Sequence, residues 1–200
     1  MFVRVNTVTG AENIDAGVTF LQDKVIPELR GQKGFRGLTA SGNRSTGDFG
    51  TLGLWDTLKD LEASDSTASK LRQEAMRALG GQISVAVMEQ VFAEVFAPQD
   101  LVGRPLRIVQ VKMDPSRVDE HVAFFRSDVA PEMKATPGFL AVRNLINRST
   151  GEGGVGTIWA DERAMQASEA TAGERRRRAL ERGVQISEPS YRTLLLNHFV

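Results

Sequence analysis

Few side chains in this 200-residue sequence can do chemistry. Cysteine is absent, which removes thiolate nucleophiles, disulfides and cysteine-ligated metals. The two histidines, His121 and His198, are too far apart to form a metal-ligand spacing or to anchor a Ser-His-Asp arrangement. His198 shares a strand face with Leu194 and Leu196 and can act as a base or donor near neutrality; an incidental place near the C-terminus is the commoner explanation of a lone histidine. His121 falls early in a helix, where an exposed position is expected. Asn6 in the first strand and Gln110 in the second half are amides of one donor type, although strand amides are commonly satisfied structural groups. Trp55 and Trp159 end strands, where each can wall a pocket or simply pack. Arg72 and Arg176 recur at one helix position and offer a cation to an anionic ligand, or a solvated face. The run Arg175-Arg176-Arg177-Arg178 has Glu174 and Glu181 at ion-pair spacing and reads as a solvated helix face.

The whole-chain balance narrows the partners. Lys plus Arg and Asp plus Glu are 25 each, so the formal net charge is zero. A nucleic-acid binder needs a basic excess to neutralise phosphates, and none exists. No apolar stretch approaches the roughly 20 residues of a membrane span. The first residues, Met1 to Asn6, alternate like a strand rather than a leader peptide. A cytoplasmic protein that binds a small molecule, with no nucleic-acid or membrane partner, is the expectation.

These residues sit in a chain that repeats itself. Asn43-Arg44-Ser45-Thr46-Gly47 recurs 104 residues later as Asn147-Arg148-Ser149-Thr150-Gly151. The same offset takes Gly34-Phe35 to Gly138-Phe139, Pro27 to Pro131, Phe20 to Phe124 and Trp55 to Trp159. Read at this single offset, without gaps, Asn6 matches Gln110 and Arg4 matches Ile108. The link falls at Ala97 to Pro105, giving repeats over residues 1–97 and 105–200.

Each repeat reads as β-α-β-β-α-β. Phe2 to Val8 and Leu106 to Met113 alternate as strands. Ile14, Val18, Leu21 and Val25, and then Val118, Val122, Phe125 and Val129, follow helical spacing. Pro27 and Pro131 should kink or break these helices. A hairpin follows, turning at Ser-Thr-Gly, then a helix interrupted in both copies, then a closing strand near 85–96 and 190–199. The closing strands carry apolar residues on both faces, so both faces are expected to be covered.

The element order, the Gly-Phe opening the second strand and the third strand ending in Trp55 or Trp159 resemble the antibiotic biosynthesis monooxygenase-like proteins of the dimeric α+β barrel group. The resemblance spans both repeats. It implies an α+β fold in which two ferredoxin-like units, fused in tandem, build within one chain the antiparallel barrel that family members form from two. The assembly is then a monomer with an internal pseudo-dimer, or a homodimer. It also implies a pocket between sheet and helices that takes an aromatic or polyketide-like phenol, stabilises its anion and lets it react with oxygen without a cofactor. Asn6 is the leading donor for that anion, with His198 as a second catalytic candidate; Trp55, Trp159, Gln110, Arg72 and Arg176 are the candidate ligand contacts. A non-catalytic ligand-binding or stress-related barrel is the alternative. Haem binding ranks last, because the helix histidine of the haem-degrading branch, close to where Ser64 and Ser168 stand, is missing from both copies.

Overall fold

The computed structural model describes residues 1–96 and 100–200; Ala97-Pro98-Gln99 of the expected link lie outside the described residues. The first repeat opens with β1 (Phe2–Thr9). Asn13 caps α1 (Ile14–Phe20), its side chain accepting the Ala16 N–H at 2.9 Å. A wide π-turn, Leu21–Val25, leads into α2 (Ile26–Arg30). Here the Ile26 N–H reaches back five residues to the Leu21 carbonyl. This wider turn carries Pro27, which lacks an N–H and crowds the carbonyl four residues before it, without ending the helical path. Next come β2 (Phe35–Asn43), β3 (Asp48–Trp55), α3 (Leu58–Ala63), α4 (Asp65–Leu79) and β4 (Gln82–Val95).

The second repeat follows the same order. It holds β5 (Pro105–Lys112), α5 (Val118–Phe124), a π-turn at Phe125–Val129 and α6 (Ala130–Lys134). After these come β6 (Phe139–Asn147), β7 (Glu152–Trp159), α7 (Glu162–Ala167), α8 (Glu169–Glu181), the short β8 (Gln185–Ile186) and β9 (Ser190–Phe199). The identical hairpin turns are explained locally. Asn43 Oδ1 accepts from the Ser45 N–H and hydroxyl, and Asn147 does the same for Ser149. Gly47 and Gly151 then turn the chain at φ +71° and +70°.

The compact units are not the repeats themselves. One is Met1–Val87 with Thr193–Val200; the other is Met88–Arg192. In the first, β4, β1, β3 and β2 lie side by side, and the 193–199 part of β9 pairs antiparallel with β2. In the second, β5 pairs with β7, β7 with β6, and the 89–95 part of β4 with β6. Each unit is therefore completed by the closing strand of the other repeat, a non-local pairing that a linear division at residues 97 and 105 does not contain.

Each unit buries its own core beneath its helices. In the first, Leu21, Leu38, Phe49, Leu61 and Leu71 surround Trp55. In the second, Phe125, Val142, Ile146 and Met165 surround Trp159. Phe35 meets Trp55 edge-on at 5.2 Å, and Phe139 meets Trp159 at the same distance.

Strand register corrects the gapless alignment. Arg4 lies opposite Gly53, and Arg107 lies opposite Thr157, the repeat mate of Gly53. Arg4 thus corresponds to Arg107, and Asn6 to Val109. The loop before α5 has one residue more than the loop before α1, and a 3-10 turn at Pro115–Arg117 takes it up.

Candidate functional site

The first unit encloses a cavity of about 60 Å³ between its sheet and its helices. That is several times the ~10–15 Å³ that holds one water. Leu21, Val25, Leu29, Phe49 and Leu79 form much of its apolar wall. Arg4, Asn6, Thr51, Trp55 and Arg72 interrupt that wall, and three of them carry a buried atom with no hydrogen-bond partner: Asn6 Oδ1, Trp55 Nε1 and Arg72 Nη1. Leaving such an atom unsatisfied costs ~1–3 kcal/mol.

Backbone geometry aims these groups. Arg4, Asn6 and Val8 alternate onto the cavity face of β1, while Val3 is buried on the other. Asn6 Nδ2 donates to the Thr51 hydroxyl at 2.9 Å, from the directly opposed residue of β3. A hydroxyl both donates and accepts, so a half-turn of the amide presents either Oδ1 or Nδ2 to the cavity. Trp55 is fully buried, and opposite its indole N–H stands Gly53, whose missing side chain leaves the space open. Arg72 reaches in from α4.

Arg4 supports this arrangement rather than sharing its vacancy. It donates to the Ser64 hydroxyl at 2.9 Å and the Leu61 carbonyl at 2.7 Å, pairs with Asp65, and lies 5.9 Å from the centre of the Trp55 ring. Burial pulls its pKa down, Asp65 pulls it up, and the nearby Arg72 charge lowers it again. Ser64 also donates to the Leu61 carbonyl at 2.6 Å. Ser64 therefore tethers Arg4, and no histidine lines the cavity. The site does not fit haem. Among the described residues no cluster of His, Asp and Glu could hold a metal ion, and no helix is long and apolar enough to cross a membrane.

In the second unit the equivalent groups are satisfied. Trp159 donates to the Thr157 hydroxyl at 3.1 Å, where the first unit has Gly53. Val109 and Val155 stand for Asn6 and Thr51. Arg107 pairs with Glu169 and lies 5.1 Å from the Trp159 ring centre, and Arg176 reaches the same carboxylate at 3.0 Å.

Of the seven candidates, Asn6, Trp55 and Arg72 come together at one cavity. Gln110 does not: it is exposed beside Lys112, Glu152 and Ser187, because the one-residue shift turns it to the outer face. His198 lies beyond the cavity wall, 3.3 Å from Arg30 Nη2. Two further expectations are corrected. Arg175 is not on a solvated face but 7% exposed. His121 is half-buried with both ring nitrogens shielded, and burial lowers its pKa. Gly53, Thr51 and the Arg4–Ser64–Asp65 tether were absent from the sequence reading; the Gly53/Thr157 contrast between aligned repeats was the available signal.

Fold and site together define the class: an α+β protein with the fold of the antibiotic biosynthesis monooxygenase-like proteins. An anthrone oxidase-like protein matches with a TM-score of 0.67 at 13% identity, over 99% of this chain and 92% of its own. A ferredoxin-fold protein from Listeria monocytogenes 4b F2365, related to antibiotic biosynthesis monooxygenases, matches at 0.56 and 9% identity, over 98% of this chain and 95% of its own. In sequence, an uncharacterized protein of Mycobacterium tuberculosis (strain ATCC 25618 / H37Rv) is 23% identical over 188 residues, 93% of this chain and 79% of the relative. No protein-family model matches the chain.

Proposed function

We propose that the first unit is a cofactor-independent monooxygenase for a small aromatic, phenol-type substrate. The observation that carries this reading is the set of three unpartnered polar atoms, from Asn6, Trp55 and Arg72, on the wall of an otherwise apolar cavity. The apolar wall takes the ring. Asn6 Oδ1 accepts a hydrogen bond from the phenol; the proton then leaves to solvent, from which the peroxide later recovers one, and the turned amide donates through Nδ2 to the phenolate. The Trp55 N–H and the Arg72 guanidinium add a donor and a charge to the same oxygen, stabilising the anion away from bulk water. For an anthrone-type substrate the electron-rich ring carbon then takes up O2 as a hydroperoxide. Loss of water leaves the quinone, so one O2 is consumed, one water is released and no external reductant is needed.

Oxygen uptake with a panel of anthrone-type and hydroquinone substrates tests this. Removing one such donor lowers kcat by ~10²–10³, so Asn6→Ala should reduce uptake on that scale. No uptake from the wild-type protein across the panel would reject catalysis, and saturable binding without uptake would select the non-catalytic reading.

A further inference from the structure

The second unit holds buried polar groups that this reaction does not use. Asn144 in β6 is 0% exposed, and neither its Oδ1 nor its Nδ2 has a hydrogen-bond partner. Arg175 in α8 is 7% exposed, and its Nη2 has none either. The matching residues of the first repeat are Ala40 and Leu71, both in the apolar core. Two core positions have thus become polar in one copy, and both are left unsatisfied.

Register shows where the two groups lie. In the first unit Asn6, Thr51 and Ala40 form one cross-strand row. In the second the row reads Val109, Val155 and Asn144, and continues to Phe92. The carboxamide occupies the same row, two strands away. Phe92 and Val155 pack into the core beneath the helices, and Phe92 meets Phe125 edge-on at 5.4 Å. Leu71, the mate of Arg175, lines the first unit's cavity. Asn144 and Arg175 therefore belong to the sheet-to-helix interior of their own unit.

The local charge is unbalanced. Arg107 and Arg176 both pair with Glu169, whose other neighbour is the Tyr191 hydroxyl. Burial, and then the Arg107 charge, lower the Arg175 pKa; Glu132 opposes this but is ion-paired to Arg178. Arg107 and Arg176 share one half-buried carboxylate, and Arg175 forms no ion pair among the described residues. A buried cation without a close partner is costly, and an anion relieves it.

We infer that the interior of the second unit is a second ligand site, unlike the first, for a small molecule bearing a carboxylate or phosphate oxyanion held by Arg175 and Asn144. Arginine matches an oxyanion with parallel N–H donors, and the amide serves a remaining oxygen. The inference is independent of the oxygenase reading, because no residue is shared with the first cavity.

The test is an NMR titration of the isotope-labelled full chain with acetate, benzoate and inorganic phosphate in turn, with chloride as the ionic-strength control. At least one probe should shift the Asn144 side-chain amide saturably, and which probe does so identifies the oxyanion. Arg175→Leu and Asn144→Ala install the residues that the first repeat already buries. Each should weaken that binding at least tenfold, read in Asn144→Ala from the backbone amides of β6, and leave the first unit's ligand response unchanged. Without anion, both variants should melt above wild type, because an unpaired buried group is gone. The inference falls if no probe gives a saturable shift, if both variants bind as wild type does, or if both melt lower.

Discussion

Replacing Gly53 with threonine converts the Trp55 surroundings of the first unit into those of Trp159 in the second. A Cβ at residue 53 would stand 3.6 Å from Trp55 Nε1 and 3.9 Å from Leu38 Cδ1, ordinary contact distances, so the side chain enters without displacing backbone. In the second unit the same hydroxyl receives the Trp159 N–H at 3.1 Å. The new hydrogen bond contributes ~0.5–1.5 kcal/mol, and removing a strand glycine adds ~0.5–1 kcal/mol. The total is ~1–2.5 kcal/mol; at ~2–4 °C per kcal/mol for a chain of this size, Tm should rise by ~2–10 °C. The same change consumes the Trp55 donor and part of the 60 Å³ cavity. Loss of one anion donor should then cost ~10²–10³ in kcat. Calorimetry and an oxygen electrode read both effects on one sample, so lost activity cannot be assigned to unfolding. A Gly53→Thr protein that melts higher and still consumes oxygen at the wild-type rate would show that ligand touches neither Trp55 nor this cavity. A lower Tm would refute the steric argument.

Arg72→Met should lose oxygen uptake comparably to Asn6→Ala while keeping the wild-type circular dichroism spectrum, since Arg72 Nη1 has no protein partner to forfeit. His121 should make stability pH-dependent: burial lowers its folded pKa below the ordinary 6.5, so the unfolded chain binds the proton more readily. Its contribution is complete above pH 6.5 and declines as pH falls below that value; urea unfolding between pH 5 and 7.5 should show the slope in wild type and lose it in His121→Leu. Gly151→Ala should destabilise by ~2 kcal/mol or more, because φ is +70° and the added Cβ would sit 2.0 Å from the Met113 carbonyl oxygen. Gly31→Ala, with nothing within 4 Å and a right-handed φ of −77°, should be neutral or gain ~0.4–1 kcal/mol by the same melts.

The element order was legible because its signals are local. Proline inside both first helices, Asn-Arg-Ser-Thr-Gly at both hairpins and the Trp closing both third strands each act within a few residues. The site was legible only in part, because it depends on register. Side chains alternate with a period of two, so one residue added before α5 turns Gln110 outward and puts Val109 in the place of Asn6. Arg175 was hidden by a different periodicity. Successive helix residues stand about 100° apart, so four arginines in a row span most of the circumference and one of them must face the sheet. The unit boundaries escaped a linear reading because the strand pairs that define them join residues far apart in sequence.

That exchange of closing strands governs what can be done with pieces of the chain. A fragment ending near residue 97 would leave β2 without Thr193–Val200, and the complementary fragment would leave β6 without Met88–Val95. Each would expose a row of unpaired backbone donors and acceptors, an invitation to associate with any available strand. Expressed apart, the halves should aggregate; expressed together, each supplies the strand its counterpart lacks. The two repeats are in this sense a ready-made split protein, whose reassembly reports on whether both fragments are present in one cell.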